Sequence, residues 1–183
     1  SFQIADNIFK NSGLPYRSFR REQNYLLSPN LNLLLQHAGG EYISFLSGDD
    51  FFELNNFEEK IKYYVAHPEF GMIYGNGYKH YYDTGKTILM DGAFWKSGWV
   101  FNDLLALNFI NGIGVMIKKS TFDTVGVFDE NSKLEDWDMW LRIALKYPIG
   151  FLDTPLVYYG RSTGSNITAN SAYMDAGVEY IFN

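Results

Sequence analysis

A mainly apolar run of five residues, 42–46, places the strongest limit on the architecture of this chain. Glycines precede the run and the turn sequence Ser-Gly-Asp-Asp follows it, a pattern typical of a short strand buried on both faces of a sheet. Amphipathic helical patterns lie before and after the run. The order helix, strand, helix predicts an α/β domain with a mixed, mainly parallel sheet flanked by helices.

Local signals predict the other elements. Apolar residues at helical spacing, followed by glycine or proline, predict helices over residues 2–10, 28–38, 56–67 and 134–147. Strand signals and a glycine-containing turn predict strands over residues 72–82, 87–90, 115–118 and 155–159. The polar residues 160–170 favour a mobile loop. For the third helix we expect Asn56 to be the cap, with an inner face formed by Phe57, Ile61, Tyr64 and Val65.

Composition excludes several classes of protein. The 183 residues suit one domain, and 46% hydrophobic residues can fill a sizeable core. A formal charge of -6 argues against non-specific nucleic-acid binding, which depends on clustered cations. The chain contains no cysteine, so it has no disulfides or thiolate nucleophiles. No window approaches the roughly 18 consecutive apolar residues of a membrane-spanning helix, and we expect a soluble protein in the cytoplasm.

Two adjacent carboxylates, Asp49 and Asp50, follow the first predicted strand. Two unit charges about 4 Å apart repel by about 4 kcal/mol at an effective dielectric constant near 20, so their proximity needs an explanation. A divalent cation would remove the repulsion, because Mg²⁺ takes one or two carboxylates together with substrate phosphates. Alternatively, the two aspartates belong to a solvated turn or cap the next helix.

A second acidic group, Glu135, Asp136 and Asp138, lies in the first turn of the predicted helix over residues 134–147. The helix dipole stabilises such carboxylates by about 0.3–1 kcal/mol, which alone is enough to explain them. The functional alternative is that one of them is a general base that removes a proton from a hydroxyl group. Spacing does not choose between these interpretations.

Three segments together, GGEYISFLSGDD, VGVFDE and LEDWDMWLRIA, resemble the inverting glycosyltransferase family two in order and spacing. The resemblance extends over about residues 24–161, where Asn24 and Asn32 are similar to asparagines that precede the family's first acidic motif. It implies the GT-A fold. It also implies transfer of a sugar from a nucleotide-diphosphate sugar to a hydroxyl group by a single displacement that inverts the anomeric carbon.

The resemblance implies roles for the first acidic motif and for the end of the last strand. Asp49 and Asp50 correspond to the carboxylates that bind a divalent metal, Mn²⁺ or Mg²⁺, and the donor diphosphate. Ser47 stands where many members have an aspartate, so one donor contact becomes a hydroxyl group. Arg161 corresponds to a phosphate contact, although the histidine that often follows two residues later is absent.

The second acidic motif corresponds to the acceptor side of the family's active site. By this resemblance Glu135 and Asp136 are catalytic residues, and Asp136 is the base. The acceptor would be a glycan, a lipid-linked molecule or a protein in the synthesis of bacterial cell-surface polysaccharide. Such a role implies a cytoplasmic location, including peripheral association with the inner face of the membrane.

Members of the family begin with two strands that hold the nucleotide, and no segment of these 183 residues resembles them. We therefore expect residues 1–183 to be a single GT-A-like domain that is part of a longer protein and lacks the first nucleotide-binding strands.

Other functions remain as alternatives. A non-catalytic carbohydrate-binding or scaffolding domain derived from a transferase would stack sugars on exposed aromatic rings, for which Trp95 and Trp99 are the candidates. Glycoside hydrolysis also uses two carboxylates, but it needs no nucleotide. The widely separated His37, His67 and His80 argue against a zinc enzyme.

Overall fold

The computed structural model describes residues 2–23, 26–92, 94–162 and 171–183, which form one mixed sheet with helices around it. The strands are β1 (Tyr42–Ser44), β2 (Phe51–Phe52), β3 (Met72–Tyr81), β4 (Lys86–Leu89), β5 (Val115–Lys118) and β6 (Ile149–Arg161). The helices are α1 (Phe2–Ser12), α2 (Leu27–His37), α3 (Asn56–Ala66), α4 (Phe101–Ala106), α5 (Lys119–Val125), α6 (Glu135–Ala144) and α7 (Ser171–Phe182). None of the described helices is both long and apolar enough to cross a membrane.

The strand order in the sheet is β1-β5-β3-β6-β2, and β4 pairs with the outer half of β3. This confirms the mixed α/β class. The balance of pairings, however, differs from the mainly parallel sheet that was expected, because β3 with β6 is the one parallel pair among the described strands. Direct reversals explain the difference: β4 returns along β3 through a tight turn in which Gly85 has a φ of 68°.

Most predicted elements are present. β5 has the predicted bounds, whereas α6 is shorter than predicted and β6 is longer at both ends. Gly160 and Arg161, predicted to begin a mobile loop, are the last residues of β6, and residues 163–170 of that loop lie outside the described residues. The sequence prediction missed the two-residue strand β2 and three helices, α4, α5 and α7.

The main core lies between the sheet and α4, α5 and α6. Met139 and Trp140 of α6 are buried against Met72 and Ile149, the first residues of the parallel strands. These contacts hold the beginning of α6 firmly against the sheet, which fixes the position of the acidic residues at its amino terminus.

Helix α3 has a different inner face from the predicted one. Phe57 and Val65, expected inside, are 51% and 76% exposed, while Asn56 and Lys60 are completely buried together with Tyr64. The Tyr64 hydroxyl donates a hydrogen bond of 2.7 Å to the Met116 carbonyl in β5, which sets the rotation of the helix. Residues 56, 60 and 64 then face the sheet because they are four apart.

The expected cap of this helix is also wrong. Asn55 occupies the cap position, and its side chain makes no capping hydrogen bond. Asn56 lies inside the helix instead, with a buried amide group that has no hydrogen-bond partner among the described residues.

Candidate active site

A cleft of about 260 Å³ opens beside the carboxyl ends of the parallel strands β3 and β6. Ligands in open α/β sheets commonly bind at such an edge. One wall consists of strand residues, and the other consists of the loops before and after α4. The lining residues are Lys79, Met90, Asp91, Phe94, Trp95, Leu107, Phe109, Asn111, Tyr159 and Arg161.

The Asp49–Asp50 turn is fastened to the strands that form this cleft. The Gly160 N–H donates a hydrogen bond of 2.9 Å to Asp50 Oδ1, and the Tyr82 hydroxyl donates one of 2.7 Å to the Asp49 carbonyl. Gly160 leaves no room for a side chain, because a Cβ there would lie 1.9 Å from the Asp49 carbonyl oxygen. Gly160 lies between two lining residues of β6, and because alternate residues of a strand face opposite sides of the sheet, the turn packs on the face away from the cleft lining.

The two aspartates have different surroundings. Asp50 is only 9% exposed, and this burial raises its pKa, with the Gly160 hydrogen bond acting in the opposite direction. The nearby charge of Asp49 raises the pKa of Asp50 further, and a hydrogen bond from the Ser47 side chain lowers it. Asp49 is exposed, and its carboxylate accepts no hydrogen bond from the described residues. The turn therefore offers one structural and one accessible carboxylate.

These carboxylates fit a divalent metal that substrate phosphates help to bind. In the described ranges, no group of three or more His, Cys, Asp or Glu could hold a metal without such help. Mg²⁺ needs only one or two carboxylates when phosphate oxygens supply further ligands. Asp49 is the accessible carboxylate of the turn, and the buried Asp50 is next to it in the chain.

Arg161, the predicted phosphate contact, lines the cleft. Its guanidinium carbon lies 4.7 Å from the centre of the Tyr159 ring, so the ring supports its planar group. Lys79, which sequence reasoning missed, lines the same wall, and its Cα partner in the sheet is Tyr159. Nothing in the local sequence indicates that a single lysine within a strand lines a cleft.

The second acidic pair lies at the start of α6. The Trp137 N–H donates a hydrogen bond of 2.6 Å to Asp136 Oδ1, and the Asn108 side chain also hydrogen-bonds this carboxylate. Asp136 Oδ2 lies 3.9 Å from the point where a Cβ of Gly112 would be. Asn108 and Gly112 belong to the segment after α4 whose neighbouring residues line the cleft. Asp136 thus lies against the segment after α4, part of which lines the cleft.

Burial shifts the acid–base properties of this pair. It raises the pKa of Glu135 to about 7, and the charge of Asp136 adds to the effect. Burial also raises the pKa of Asp136, against the hydrogen bonds from Trp137 and Asn108. Asp138, the third acid of this turn, instead forms an ion pair with Arg142 at 2.6 Å. Burial thus raises the pKa values of Glu135 and Asp136, whereas Asp138 is paired with a cation.

The VGVFDE motif has a structural role here. The side chain of Asn32 in α2 makes two hydrogen bonds of 2.9 Å to the backbone of Phe128 in this motif. It accepts one from the Phe128 N–H and donates one to the Phe128 carbonyl. Asn24, the other asparagine singled out by the sequence, lies outside the described residues. The Asn32 contacts fix the loop that leads into α6.

The two tryptophans proposed as sugar platforms differ. Trp95 is half-buried in the cleft wall, and its ring centre lies 5.0 Å from that of Phe151. Trp99 is 69% exposed. Only Trp95 lies in the cleft.

A family profile described as "Glycosyltransferase like family 2" matches residues 3–168. The chain belongs to this glycosyltransferase family. The match confirms the resemblance, and it covers both acidic motifs and the strands that carry the cleft.

Relatives of known sequence agree with the family. An uncharacterized glycosyltransferase of Rickettsia felis is 26% identical over 158 residues, which are 84% of this chain and 26% of that protein. An uncharacterized protein of Mycobacterium tuberculosis is 26% identical over 162 residues, 87% of this chain and 45% of that protein. The chain thus spans less than half the length of these relatives.

Solved structures confirm the fold. TarS 1-349 of S. aureus in complex with UDP-GlcNAc superimposes with a TM-score of 0.72 at 16% identity, over 92% of this chain and 49% of that one. The complex of the same protein with UDP gives a TM-score of 0.68, over 99% of this chain and 57% of that one. At this identity the similarity establishes the architecture of the family, not a substrate.

Proposed function

We propose that the protein is a metal-dependent inverting glycosyltransferase that moves a sugar from a nucleotide-diphosphate sugar to a hydroxyl acceptor. The observation that carries the proposal is that the Asp49–Asp50 turn is hydrogen-bonded to Gly160, next to the cleft-lining Arg161 at the end of β6. The second acidic pair, Glu135 and Asp136, has raised pKa values. The complexes of TarS with UDP-GlcNAc and UDP support a donor of the same chemical class.

On the donor side, the chain would bind and orient the diphosphate. Asp49 and Asp50 would hold Mn²⁺ or Mg²⁺, which supplies positive charge to the leaving diphosphate. Arg161, supported by the Tyr159 ring, presents a planar set of donors that suits phosphate oxygens. Ser47 can donate a hydroxyl hydrogen bond where related enzymes place a charge. The Gly160 and Tyr82 hydrogen bonds keep the turn at a fixed distance from these groups.

On the acceptor side, Asp136 accepts the proton of the acceptor hydroxyl group. The acceptor oxygen then forms a bond to the anomeric carbon from the face opposite the diphosphate. The bond from that carbon to the diphosphate oxygen breaks, and its electron pair leaves with the diphosphate, so the configuration inverts. The hydrogen bonds from Trp137 and Asn108 orient the carboxylate, and its burial makes it a stronger base than an exposed aspartate.

The biological setting is part of the proposal. We place the reaction in the synthesis of bacterial cell-surface glycans, at or near the inner face of the membrane, with a glycan, a lipid-linked molecule or a protein as the acceptor. The similarity to an uncharacterized glycosyltransferase of the bacterium Rickettsia felis supports the bacterial setting.

Calorimetric titration of the full-length protein with UDP in the presence of Mn²⁺ tests the donor side. We expect Asp49→Asn to weaken binding at least about 10-fold, because it removes the accessible charge of the turn. Asp123→Asn, at an exposed position of α5, is the matched control and should bind like the wild type. Wild-type affinity in both Asp49→Asn and Asp50→Asn would exclude the metal site. Binding of free glycans without any binding of UDP would favour the carbohydrate-binding alternative.

A further inference from the structure

The cleft contains two cationic side chains, Lys79 and Arg161, in a chain that is acidic overall. Neither forms an ion pair with any residue that the structure describes, and all 21 acidic residues of the chain lie in the described ranges. One acidic residue, Asp91, also lines the cleft, so the lining residues carry a net charge of one positive unit. An unpaired pair of cations in a concave site attracts an anionic ligand.

The strand register brings these two cations together. Lys79 pairs with Tyr159 in the parallel ladder, and Arg161 lies two residues further along β6 on the same side of the sheet. With strands about 4.8 Å apart and a rise of about 3.3 Å per residue, the two Cα atoms are about 8 Å apart. Both side chains can therefore reach one group of the size of a phosphate.

The surroundings define the ligand further. Tyr159 holds the Arg161 guanidinium in place, so less conformational freedom is lost when an anion binds. The opposite wall is aromatic and apolar, with Phe94, Trp95 and Phe109. Such a wall suits the carbon face of a sugar or an apolar chain next to the anionic group.

We propose that Lys79 acts together with Arg161 to bind one phosphate-type group of a substrate in this cleft. The proposal rests on the proposed function, because it identifies a substrate group of that same site. The phosphate belongs either to the diphosphate of the donor or to a phosphorylated acceptor, and an experiment can separate these two sources.

The test is to measure binding of UDP, uridine and inorganic phosphate by calorimetry, without divalent metal, to the full-length protein and to Lys79→Met. Lys86→Met, at an exposed position of the neighbouring strand β4, controls for the general change in charge. Lys79→Arg keeps the charge and should retain binding. Lys79→Gln repeats the neutralisation with a polar residue in case the methionine variant folds poorly.

If the donor supplies the phosphate, Lys79→Met should weaken UDP binding about 10-fold and leave uridine binding unchanged. If the acceptor supplies it, UDP binding should stay constant, and binding of inorganic phosphate to the UDP-saturated protein should weaken about 10-fold. Either result supports the site. Equal effects of Lys79→Met and Lys86→Met, or no effect of Lys79→Met on either ligand, would overturn it.

These outcomes also separate this inference from the proposed function. A protein that binds phosphate through Lys79 but binds no UDP would retain the anion site and contradict the nucleotide-sugar transferase. A protein that binds UDP with Mn²⁺ through Asp49, without any contribution from Lys79, would support the nucleotide-sugar transferase and contradict the anion site.

Discussion

Residues 47–66 and residues 134–144 each contain a pair of adjacent carboxylates and an amphipathic helix. The two regions differ in which of their charged groups the fold buries. In the first region Asp49 is exposed and Asp50 is held by a backbone N–H, while the helix buries the amine of Lys60. In the second region the apolar residues of the helix are buried, and the carboxylates at its start have raised pKa values.

The difference lies in Asp49: the first pair keeps this exposed carboxylate beside a buried Asp50 whose pKa is also raised, whereas both members of the second pair are partly buried. An exposed, ionised carboxylate is suited to a cation, whereas a buried one with a raised pKa can take up and release protons near neutral pH. The first region is therefore suited to charge neutralisation and the second to proton transfer. The following substitutions test this division.

The largest effect is expected for Asp136→Asn. It removes the proposed base, so kcat should fall by about 10²- to 10⁴-fold, while UDP affinity should not change. Steady-state kinetics with a sugar acceptor and calorimetry with UDP measure the two quantities. Asp138→Asn is the matched control on the same helix, because Asp138 pairs with Arg142 and should not take part in the reaction. Substantial turnover by Asp136→Asn would show that another group is the base.

The next effect concerns the buried amine of α3. Lys60 Nζ has no hydrogen-bond partner among the described residues and lies 5.5 Å from the centre of the Phe52 ring, and burial lowers its pKa from 10.5 to about 8. The folded state therefore disfavours the ammonium form. This costs about 3 kcal/mol of stability below pH 8, a cost that disappears as the pH rises towards 10.5.

Lys60→Met should accordingly raise the free energy of unfolding at pH 7 by up to about 3 kcal/mol, and the gain should shrink between pH 8 and 10.5. Urea unfolding at several pH values measures it. Lys62→Met, two residues away, removes an exposed lysine that pairs with Glu58 and Glu59, and it should change stability by less than about 1 kcal/mol. A loss of stability in Lys60→Met would mean that the amine has a favourable role in the fold.

A smaller effect is expected at the first acidic pair. Asp50→Ala leaves the buried Gly160 N–H without its acceptor and should lower the free energy of unfolding by about 1–3 kcal/mol. Asp50→Asn keeps an oxygen at this position and should lose less. Asp49→Ala, at an exposed position, should stay within about 0.5 kcal/mol of the wild type. Equal losses in Asp49→Ala and Asp50→Ala would contradict the structural role of Asp50.

The smallest effect concerns the pH dependence of Glu135. Its pKa is raised from 4.5 to about 7, so the folded state favours the neutral acid, and stability falls as the pH rises from 4.5 through 7. Glu135→Gln should remove this fall, giving about 1–2 kcal/mol more stability at pH 8 and no gain at pH 4, since Glu135 remains partly exposed. Thermal unfolding across this pH range measures the difference. A gain at pH 4 equal to that at pH 8 would show that burial does not raise this pKa.

Several features of the candidate site were predictable from sequence. The motifs identified Asp49, Asp50, Glu135, Asp136 and Arg161; of these, Arg161 lines the cleft, Asp50 is hydrogen-bonded to the adjacent Gly160, and Asp136 lies against the segment after α4. The contributions of Lys79, Asn108 and Gly160 were not predictable. Their positions depend on strand pairing or on the loop after α4, which no local pattern reveals.

Local patterns were sufficient for the existence and type of most helices and strands, because turns, caps and apolar spacing act over a few residues. Local patterns predicted, for example, the change from strand to acidic turn at residue 47 and the amphipathic start of α6. The rotation of α3, the direction of strand pairing and the burial of Glu135 and Asp136 depend on contacts between distant segments, such as the hydrogen bond from Tyr64 to Met116. Such contacts determine which charged groups are buried, and the two acidic pairs differ in this burial.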